Sequence, residues 1–118
     1  MEKFVQEKYM RPWGYYINIA QGDGYLSKIL HVNSGAKLSV QSHNCRSEHW
    51  FVLKGEADVL LGENEITLSS GQSLDIPLKA IHSVGNSKNS DLEILEIQTG
   101  EVLSEDDIVR YKDIYGRV

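Results

Sequence analysis

The sequence predicts an all-β fold, either a sandwich or a small closed barrel. Apolar and polar residues alternate in short runs, which is the period of a strand that buries one face. Clusters of glycine, asparagine, serine and aspartate separate these runs and are typical of turns. Many short strands at close spacing favour a sandwich or barrel over alternating strands and helices, and barrel closure also removes the exposed edges of so many strands.

Eight strands are predicted in order along the chain. They are Tyr25–Asn33, Lys37–His43, His49–Lys54, Ala57–Leu61, Glu65–Leu68, Ser73–Ile76, His82–Val84 and Leu92–Thr99. After them, Ser104 precedes three acidic residues, which is typical of a helix N-terminus because the helix dipole favours negative charge there. We therefore expect a short C-terminal helix whose residues Ile108, Val109 and Tyr111 pack against the barrel wall.

Composition narrows the class of protein. The 118 residues carry 12 basic and 17 acidic side chains, and the formal charge of −5 argues against nucleic acid as the main partner. This length predicts one domain, residues 1–118. The single cysteine leaves no internal disulfide, and the sequence has neither an apolar run of roughly 20 residues nor an N-terminal secretion signal. We expect a soluble, cytoplasmic domain that does not bind membranes.

Two histidines and their polar neighbours form a candidate metal site. Gln41 and His43 are two apart on a predicted strand, so their side chains share one face, with Cα atoms about 6.7 Å apart. A short turn leads to Glu48, and His82 arrives from a distant strand, so four donors can meet at metal-binding distances. Taken singly, a histidine beside a carboxylate is more often a hydrogen-bonded pair than a ligand, and we assign His31 no role.

Glycine and proline residues around both groups make the pattern more specific. These flanking residues are Gly35, Gly55, Gly71, Pro77 and Asn86. The two blocks resemble the two motifs of the cupin superfamily, whose small jelly-roll barrel, a double-stranded β-helix, holds a metal. Gln41 stands where cupins usually have a first histidine, and Lys79 stands where they usually have a glycine.

Further segments narrow the resemblance to the type II phosphomannose isomerase module, often found behind a mannose-1-phosphate guanylyltransferase domain. The matching segments are 11–16 (RPWGYY), 38–43 (LSVQSH), 46–50 (RSEHW), 76–77 (IP), His82, 96–100 (EIQTG), 105–110 (EDDIVR), Asp113 and 115–117 (YGR). They cover nearly the whole chain in order. The family commonly has histidines where Asn44 and Cys45 stand.

The resemblance implies a metal site formed by Gln41, His43, Glu48 and His82. Two imidazoles, one carboxylate and one amide oxygen suit zinc, and manganese, cobalt, nickel or iron also fit these ligand types. Cys45 is an alternative soft ligand in place of Gln41, although a lone cysteine is also typical of a small buried filler.

The resemblance also implies an activity, the metal-dependent interconversion of mannose 6-phosphate and fructose 6-phosphate for GDP-mannose or polysaccharide synthesis. A phosphorylated hexose is then the partner molecule, and family analogy predicts a homodimer. The reaction needs a base whose pKa lies near neutral pH. The candidates are His49, Glu96 and Lys28, although strand parity places His49 on the face opposite Glu48.

Substrate phosphate requires cations at fixed positions, and guanidinium groups suit its geometry. The candidates are Arg11, Arg46, Arg110 and Arg117. Arg11 and Trp13 are candidates to line the cavity mouth, although an N-terminal strand with a buried Trp13 explains them equally well. For Arg46 the alternative is an exposed position in its loop.

Two other functions stay open. The first is a non-catalytic sugar-binding or regulatory cupin, which the replacements at Asn44 and Cys45 favour. The second is another metal-dependent cupin enzyme, such as a different sugar-phosphate isomerase or an oxygenase, because one fold hosts many activities.

Overall fold

The computed structural model describes residues 7–116, and these residues form two antiparallel β-sheets that face each other. The strands are β1 (Tyr9–Arg11), β2 (Gly14–Gly22), β3 (Tyr25–Val32), β4 (Val40–Ser42), β5 (Arg46–Lys54), β6 (Glu56–Leu61), β7 (Asn64–Ser69), β8 (Ser73–Ile76), β9 (His82–Gly85), β10 (Leu92–Gly100) and β11 (Val109–Lys112). The first sheet has the order β1-β2-β3-β10-β5-β8 and the second has the order β11-β4-β9-β6-β7. This is the small jelly-roll barrel that the resemblance implies.

The core lies between the two sheets and changes character along the strands. Its buried hydrophobic residues are Trp13, Tyr16, Leu30, Val32, Trp50, Val52, Ala57, Val59, Leu68, Ile76, Val84, Leu92 and Ile94. On β10, Ile94 pairs with Val52, but two and four residues further on the inward positions are Glu96 and Gln98. Because alternate residues of a strand share a face, one end of the barrel interior is apolar and the other is polar.

The eight predicted strands are confirmed as β3 to β10, although β4 is shorter than its predicted run. The strands β2 and β11 were not predicted, and β1 corresponds to the N-terminal strand that was given only as an alternative explanation of Arg11 and Trp13. Of these, β2 carries Ile17 and Ile19 on the outer face, with Ile19 44% exposed, so its pattern lacks the usual contrast between a polar and an apolar face.

The predicted C-terminal helix is wrong. Ser104–Asp107 forms a turn in which the Ser104 hydroxyl accepts a hydrogen bond from the Asp106 backbone N–H at 3.1 Å. The chain then enters β11, which pairs with β4, so Val109 and Tyr111 are 41% and 50% exposed instead of lying on the barrel wall. The same acceptor that caps a helix also stabilises an isolated turn, and tertiary pairing decided between the two. No helix in the described residues is long and apolar enough to cross a membrane.

Candidate metal centre

A cavity of about 70 Å³ opens at the polar end of the barrel, between the two sheets. Its charged lining residues are four cations, Arg11, Lys28, Arg46 and Arg110, and three carboxylates, Glu48, Glu96 and Glu105. Gln41, His43 and His82 line the same cavity. The structure therefore brings three of the predicted substrate-binding arginines and all four predicted metal ligands to one place.

His43, Glu48 and His82 form a buried cluster at this end of the cavity. The three ligand atoms lie within 4.8 Å of one another. His43 Nε2 is 3.2 Å from Glu48 Oε2, and His82 Nε2 is 3.9 Å from Glu48 Oε1. The carboxylate thus lies between the two imidazoles, which is an arrangement of donors that a divalent ion can bridge.

The main chain fixes the orientation of both imidazoles. His43 Nδ1 donates to the Asp107 carbonyl oxygen at 2.7 Å, and His82 Nδ1 donates to the Ala80 carbonyl oxygen at 2.9 Å. With each Nδ1 engaged, each Nε2 presents its lone pair towards Glu48, as in established metal sites. Burial, together with the Arg46 charge, lowers the pKa of His43 to about 4, and burial lowers the pKa of His82. Both imidazoles are therefore held neutral, the form that binds metal, and the donor set fits a divalent cation.

Gln41 lies beside His82 in the register of β4 and β9 and faces the cavity. Its amide nitrogen donates to the Ser39 carbonyl and hydroxyl oxygens at 3.4 and 3.3 Å. These contacts use the amide nitrogen, which does not bind metals. The amide oxygen is therefore the atom of Gln41 that remains a candidate ligand. Gln41 as the fourth ligand stays a prediction.

The turn before β9 supports this end of the barrel. Lys79 donates its backbone N–H to the His43 carbonyl oxygen at 2.8 Å, so the turn is tied to a ligand residue. Lys79 has a φ of 64° and is the one non-glycine residue with positive φ among those described. This is the position where cupins usually have glycine, and the left-handed conformation explains that preference.

Arg46 is buried against the metal cluster, with 7% of its surface exposed, so the alternative of an exposed loop residue is wrong. Its Nε donates to Glu48 Oε2 at 2.9 Å and its Nη2 lies 3.3 Å from His43 Nε2. Its Nη1 donates to the Ser104 carbonyl oxygen at 3.2 Å. The guanidinium therefore joins two candidate ligands to the segment between β10 and β11.

Glu96 lies next to Glu48 on the inner face of the sheet. Trp50 Nε1 donates to Glu48 Oε1 at 2.9 Å and to Glu96 Oε1 at 3.2 Å, while Gln98 Nε2 donates to Glu96 Oε2 at 2.9 Å. Burial, with the neighbouring Glu48 charge, raises the pKa of Glu96 to about 7. Glu96 can therefore both hold and release a proton near neutral pH.

The other two candidate bases occupy different surroundings. Lys28 lies in the cavity and forms an ion pair with Glu105, with Nζ 2.6 Å from Oε1. His49 lies on the opposite face of β5 from Glu48, outside the cavity lining, where its side chain is 40% exposed and contacts Asp75 at 2.5 Å. Strand alternation explains this location, and we do not retain His49 as a base.

The remaining predicted residues are distributed between the mouth and the surface. Arg11 lies on β1 and is exposed at the mouth, where its Nη2 donates to the Tyr16 hydroxyl at 3.2 Å. Trp13 is buried, and both residues line the cavity, so the structure agrees with the cavity-mouth interpretation and with the N-terminal strand. Arg110 lies opposite Gln41 in the register of β11 and β4. Arg117 lies outside the described residues. Cys45 is exposed, so the buried-filler alternative is wrong, and it is absent from the cluster of candidate ligands.

Sequence reasoning assigned no role to several residues that organise the site. Trp50, Gln98 and Glu105 belong to the motif segments. Gln98 contacts Glu96 on its own strand, Trp50 contacts Glu48 on its own strand and Glu96 on β10, and Glu105 pairs with Lys28 of β3. Asp107 receives the backbone N–H groups of Asn44 and Cys45 on its carboxylate at 3.0 and 2.9 Å, in addition to accepting from His43 on its carbonyl. The motif segment that contains Asp107 was the signal that could have singled this residue out. Its contacts with residues 62 to 64 positions away in the chain could not be inferred from the sequence.

Comparisons with known proteins show the family and the fold of the chain. A family model described as "Mannose-6-phosphate isomerase C-terminal" matches residues 1–113. The chain belongs to this family. The xanthan biosynthesis protein XanB of Xanthomonas campestris pv. campestris is 46% identical over 110 residues, which are 93% of this chain and 24% of that protein. The mannose-1-phosphate guanylyltransferase of Escherichia coli is 42% identical over 117 residues, 99% of this chain and 24% of that protein.

The alginate biosynthesis protein AlgA of Pseudomonas putida is similar as well, at 44% identity over 107 residues, 91% of this chain and 22% of that protein. The chain thus spans about a quarter of the length of these curated relatives. Among solved structures, the capsular polysaccharide assembling protein CapF of Staphylococcus aureus has a TM-score of 0.80 at 15% identity, covering 94% of this chain and 34% of that one. The Schizosaccharomyces pombe Cnp3 cupin domain has a TM-score of 0.70 at 10% identity, covering 73% and 64%. These structures show a cupin fold.

Proposed function

We propose that the protein is a metal-dependent mannose-6-phosphate isomerase that interconverts mannose 6-phosphate and fructose 6-phosphate. The observation that carries the proposal is the buried His43–Glu48–His82 cluster, oriented by main-chain carbonyls and opening into a cavity with four cationic side chains. Membership of the mannose-6-phosphate isomerase C-terminal family supports the choice of reaction. Relatives named for xanthan and alginate biosynthesis and for mannose-1-phosphate guanylyltransferase support a role in polysaccharide or GDP-mannose synthesis.

A divalent cation, zinc first by ligand type, would be held by His43, Glu48 and His82 with Gln41 as the fourth donor. When bound there, it would supply electrophilic stabilisation of the oxygens of the reacting carbonyl and its neighbouring hydroxyl. Glu48 contributes the one carboxylate of that donor set. The two imidazoles are already in the tautomer that a metal requires, because their Nδ1 atoms donate to carbonyl oxygens.

The isomerisation removes a proton beside a carbonyl and returns it to the neighbouring carbon, which needs a group that both accepts and donates a proton. Three carboxylates line the cavity in the described residues. Glu48 is a candidate ligand and Glu105 is paired with Lys28, which leaves Glu96. We assign it this proton transfer. Trp50 and Gln98 hold both of its oxygens in position.

The test is a coupled assay for fructose 6-phosphate formation from mannose 6-phosphate, with zinc, manganese, cobalt, nickel or iron added in turn. Glu96→Gln should lower kcat by roughly 10²–10⁴-fold while metal content stays unchanged, because a positioned acid–base group contributes that much. Glu93→Gln is the matched control, since Glu93 lies on the same strand but outside the cavity lining. Equal kcat values for the two variants would contradict the role of Glu96.

The two other functions are outcomes of the same assay. Absence of turnover with every metal, together with tight binding of mannose 6-phosphate, would indicate a sugar-binding module and would contradict the isomerase. Oxygen consumption by the iron-loaded protein would indicate an oxygenase.

A further inference from the structure

Lys28 is a buried cation whose closest partner comes from the surface. Its side chain is 4% exposed, whereas that of Glu105, to which it donates a hydrogen bond at 2.6 Å, is 55% exposed. A lysine is almost never fully buried without a partner, since taking an ammonium group out of water requires a compensating anion. The cavity mouth is therefore built to hold an anionic group against Lys28, and a carboxylate from the protein occupies that position.

Other groups at the mouth also suit an anion. The Lys28 ammonium lies 4.1 Å from the centre of the Tyr16 ring, and the Arg11 guanidinium lies 5.1 Å from the same ring. Arg110 has a buried Nε with no hydrogen-bond partner among the described residues. The lining carries four cations and three carboxylates, so it has a net charge of +1 in a protein of net charge −5. Removing Glu105 from the mouth would raise that lining charge to +2.

Glu105 differs from the other two carboxylates of the cavity in how it is held. Glu48 and Glu96 project from the strands β5 and β10, and each receives hydrogen bonds from neighbouring strand residues. Glu105 lies in a turn of the segment 101–108, which connects β10 to β11. A rotation of its side chain is sufficient to free Lys28, because no strand pairing has to break.

Lys28 and Glu48 are carried by strands that are not neighbours, which suits a ligand with a functional group at each end, such as a sugar phosphate. Lys28 pairs with Glu96 across β3 and β10, and Glu96 pairs with Trp50 across β10 and β5. Two strand spacings put β3 about 10 Å from β5, the strand that carries Glu48. A hexose 6-phosphate has its carbonyl and its phosphoryl group at opposite ends, so it needs its two binding groups separated in this way.

We propose that Lys28, with Arg11 and Arg110 nearby, binds the phosphoryl group of the substrate, and that the Glu105 carboxylate occupies this subsite until the phosphoryl group displaces it. The identity of the ligand as a sugar phosphate rests on the proposed function. The displacement exchanges one carboxylate for a phosphate dianion, so the cations stay compensated throughout. A neutral sugar has no group that can displace Glu105 from Lys28, so it gains nothing from this subsite.

Isothermal titration of the full chain with inorganic phosphate, mannose 6-phosphate and mannose tests this subsite. Glu105→Gln should tighten phosphate binding about tenfold, because the group that competes for Lys28 then loses its negative charge. Lys28→Met should weaken binding of mannose 6-phosphate at least about tenfold and leave mannose unchanged. Glu101→Gln, an exposed glutamate at the start of the same segment, is the matched control and should bind like the wild type.

Unchanged phosphate affinity in Glu105→Gln, or unchanged mannose 6-phosphate affinity in Lys28→Met, would overturn the proposal. Lys28→Arg keeps the charge and should bind mannose 6-phosphate within about threefold of the wild type. If Lys28→Met fails to fold, the Lys28→Arg and Glu105→Gln titrations decide. Because these titrations measure binding, phosphate bound at Lys28 in a protein without isomerase activity would refute the proposed function and leave the subsite standing.

Discussion

The two ends of the cavity are held by different kinds of contact. At the metal cluster, backbone carbonyls of Asp107 and Ala80 fix the two imidazoles. At the mouth, the main contact is an ion pair between the side chains of Lys28 and Glu105, and one of the two is largely exposed. A main-chain acceptor cannot leave without breaking the fold, whereas a surface carboxylate can rotate away. The metal cluster is thus held in a fixed geometry, whereas the mouth is able to exchange one anionic partner for another.

The largest effect is expected from removing a ligand of the cluster. His43→Ala and His82→Ala should each lower affinity for a divalent metal by more than about a hundredfold, since losing even a group that supports a ligand costs 10–100-fold. Elemental analysis by mass spectrometry after dialysis measures the bound metal. His49→Ala is the control, because His49 also lies beside a carboxylate but outside the cavity. A double variant that kept one ion per chain would show that the cluster is not the metal site.

A smaller effect is expected from the residue that ties the ligand turn to the segment after β10. Asp107→Ala removes the acceptor of the Asn44 and Cys45 N–H groups and should lower the free energy of unfolding by about 1 kcal/mol, as loss of a comparable cap does. The Asp107 carbonyl that orients His43 stays in the variant but loses the carboxylate contacts that hold its segment in place, so metal binding should also weaken by about tenfold. Urea unfolding measures the first effect, with Asp106→Ala as control. If both variants unfold alike, the Asp107 carboxylate does not support the cluster.

A substitution at Lys79 tests whether the turn next to the metal cluster carries backbone strain. Lys79→Gly should raise the free energy of unfolding by about 0.5–1 kcal/mol, because glycine adopts a φ of 64° without the cost that a side chain imposes. Lys88→Gly, an exposed lysine without positive φ, is the control and should be neutral or destabilising. A destabilised Lys79→Gly variant would mean that the lysine side chain stabilises this turn.

The smallest effect concerns the mouth and its pH dependence. Burial alone would raise the pKa of Glu105, but the Lys28 ammonium, together with Arg46 and the Tyr16 hydroxyl, outweighs burial and lowers that pKa below the ordinary 4.5. A lowered carboxyl pKa in the folded protein means that the ion pair stabilises the fold above about pH 4.5 and that this contribution fades as the pH falls through the folded-state pKa. Carboxyl NMR should give a titration midpoint for Glu105 below 4.5 in the wild type and a higher one in Lys28→Met. Identical midpoints would mean that Lys28 does not hold Glu105.

Sequence alone predicted most of the strands and the composition of the metal cluster, for identifiable reasons. Alternation along β5 placed Glu48 and Trp50 on one face and His49 on the other, and the structure agrees. His43 and His82 could be grouped because glycine and proline residues mark both motifs. These signals depend only on residues close together in the sequence, so they can be interpreted without knowing which strands pair across the barrel.

The parts that sequence missed depend on contacts between distant segments. The acids after Ser104 predicted a helix, yet pairing of β11 with β4 made the segment a turn and a strand. A carbonyl acceptor such as that of Asp107 exists at every residue, so nothing in the sequence marks the one that orients His43. The ion pair of Lys28 joins residues 77 positions apart.

The hydrogen bond between His43 and Asp107 spans 64 residues and has a consequence for biogenesis. All candidate ligands are synthesised by residue 82, but the group that aligns His43 is synthesised 25 residues later. Tight metal binding at the proposed site would therefore require the segment that carries Asp107, whose next strand β11 pairs with β4. Tight metal binding would then report that the barrel is complete, and a nascent chain that lacks the segment carrying Asp107 would bind the ion weakly.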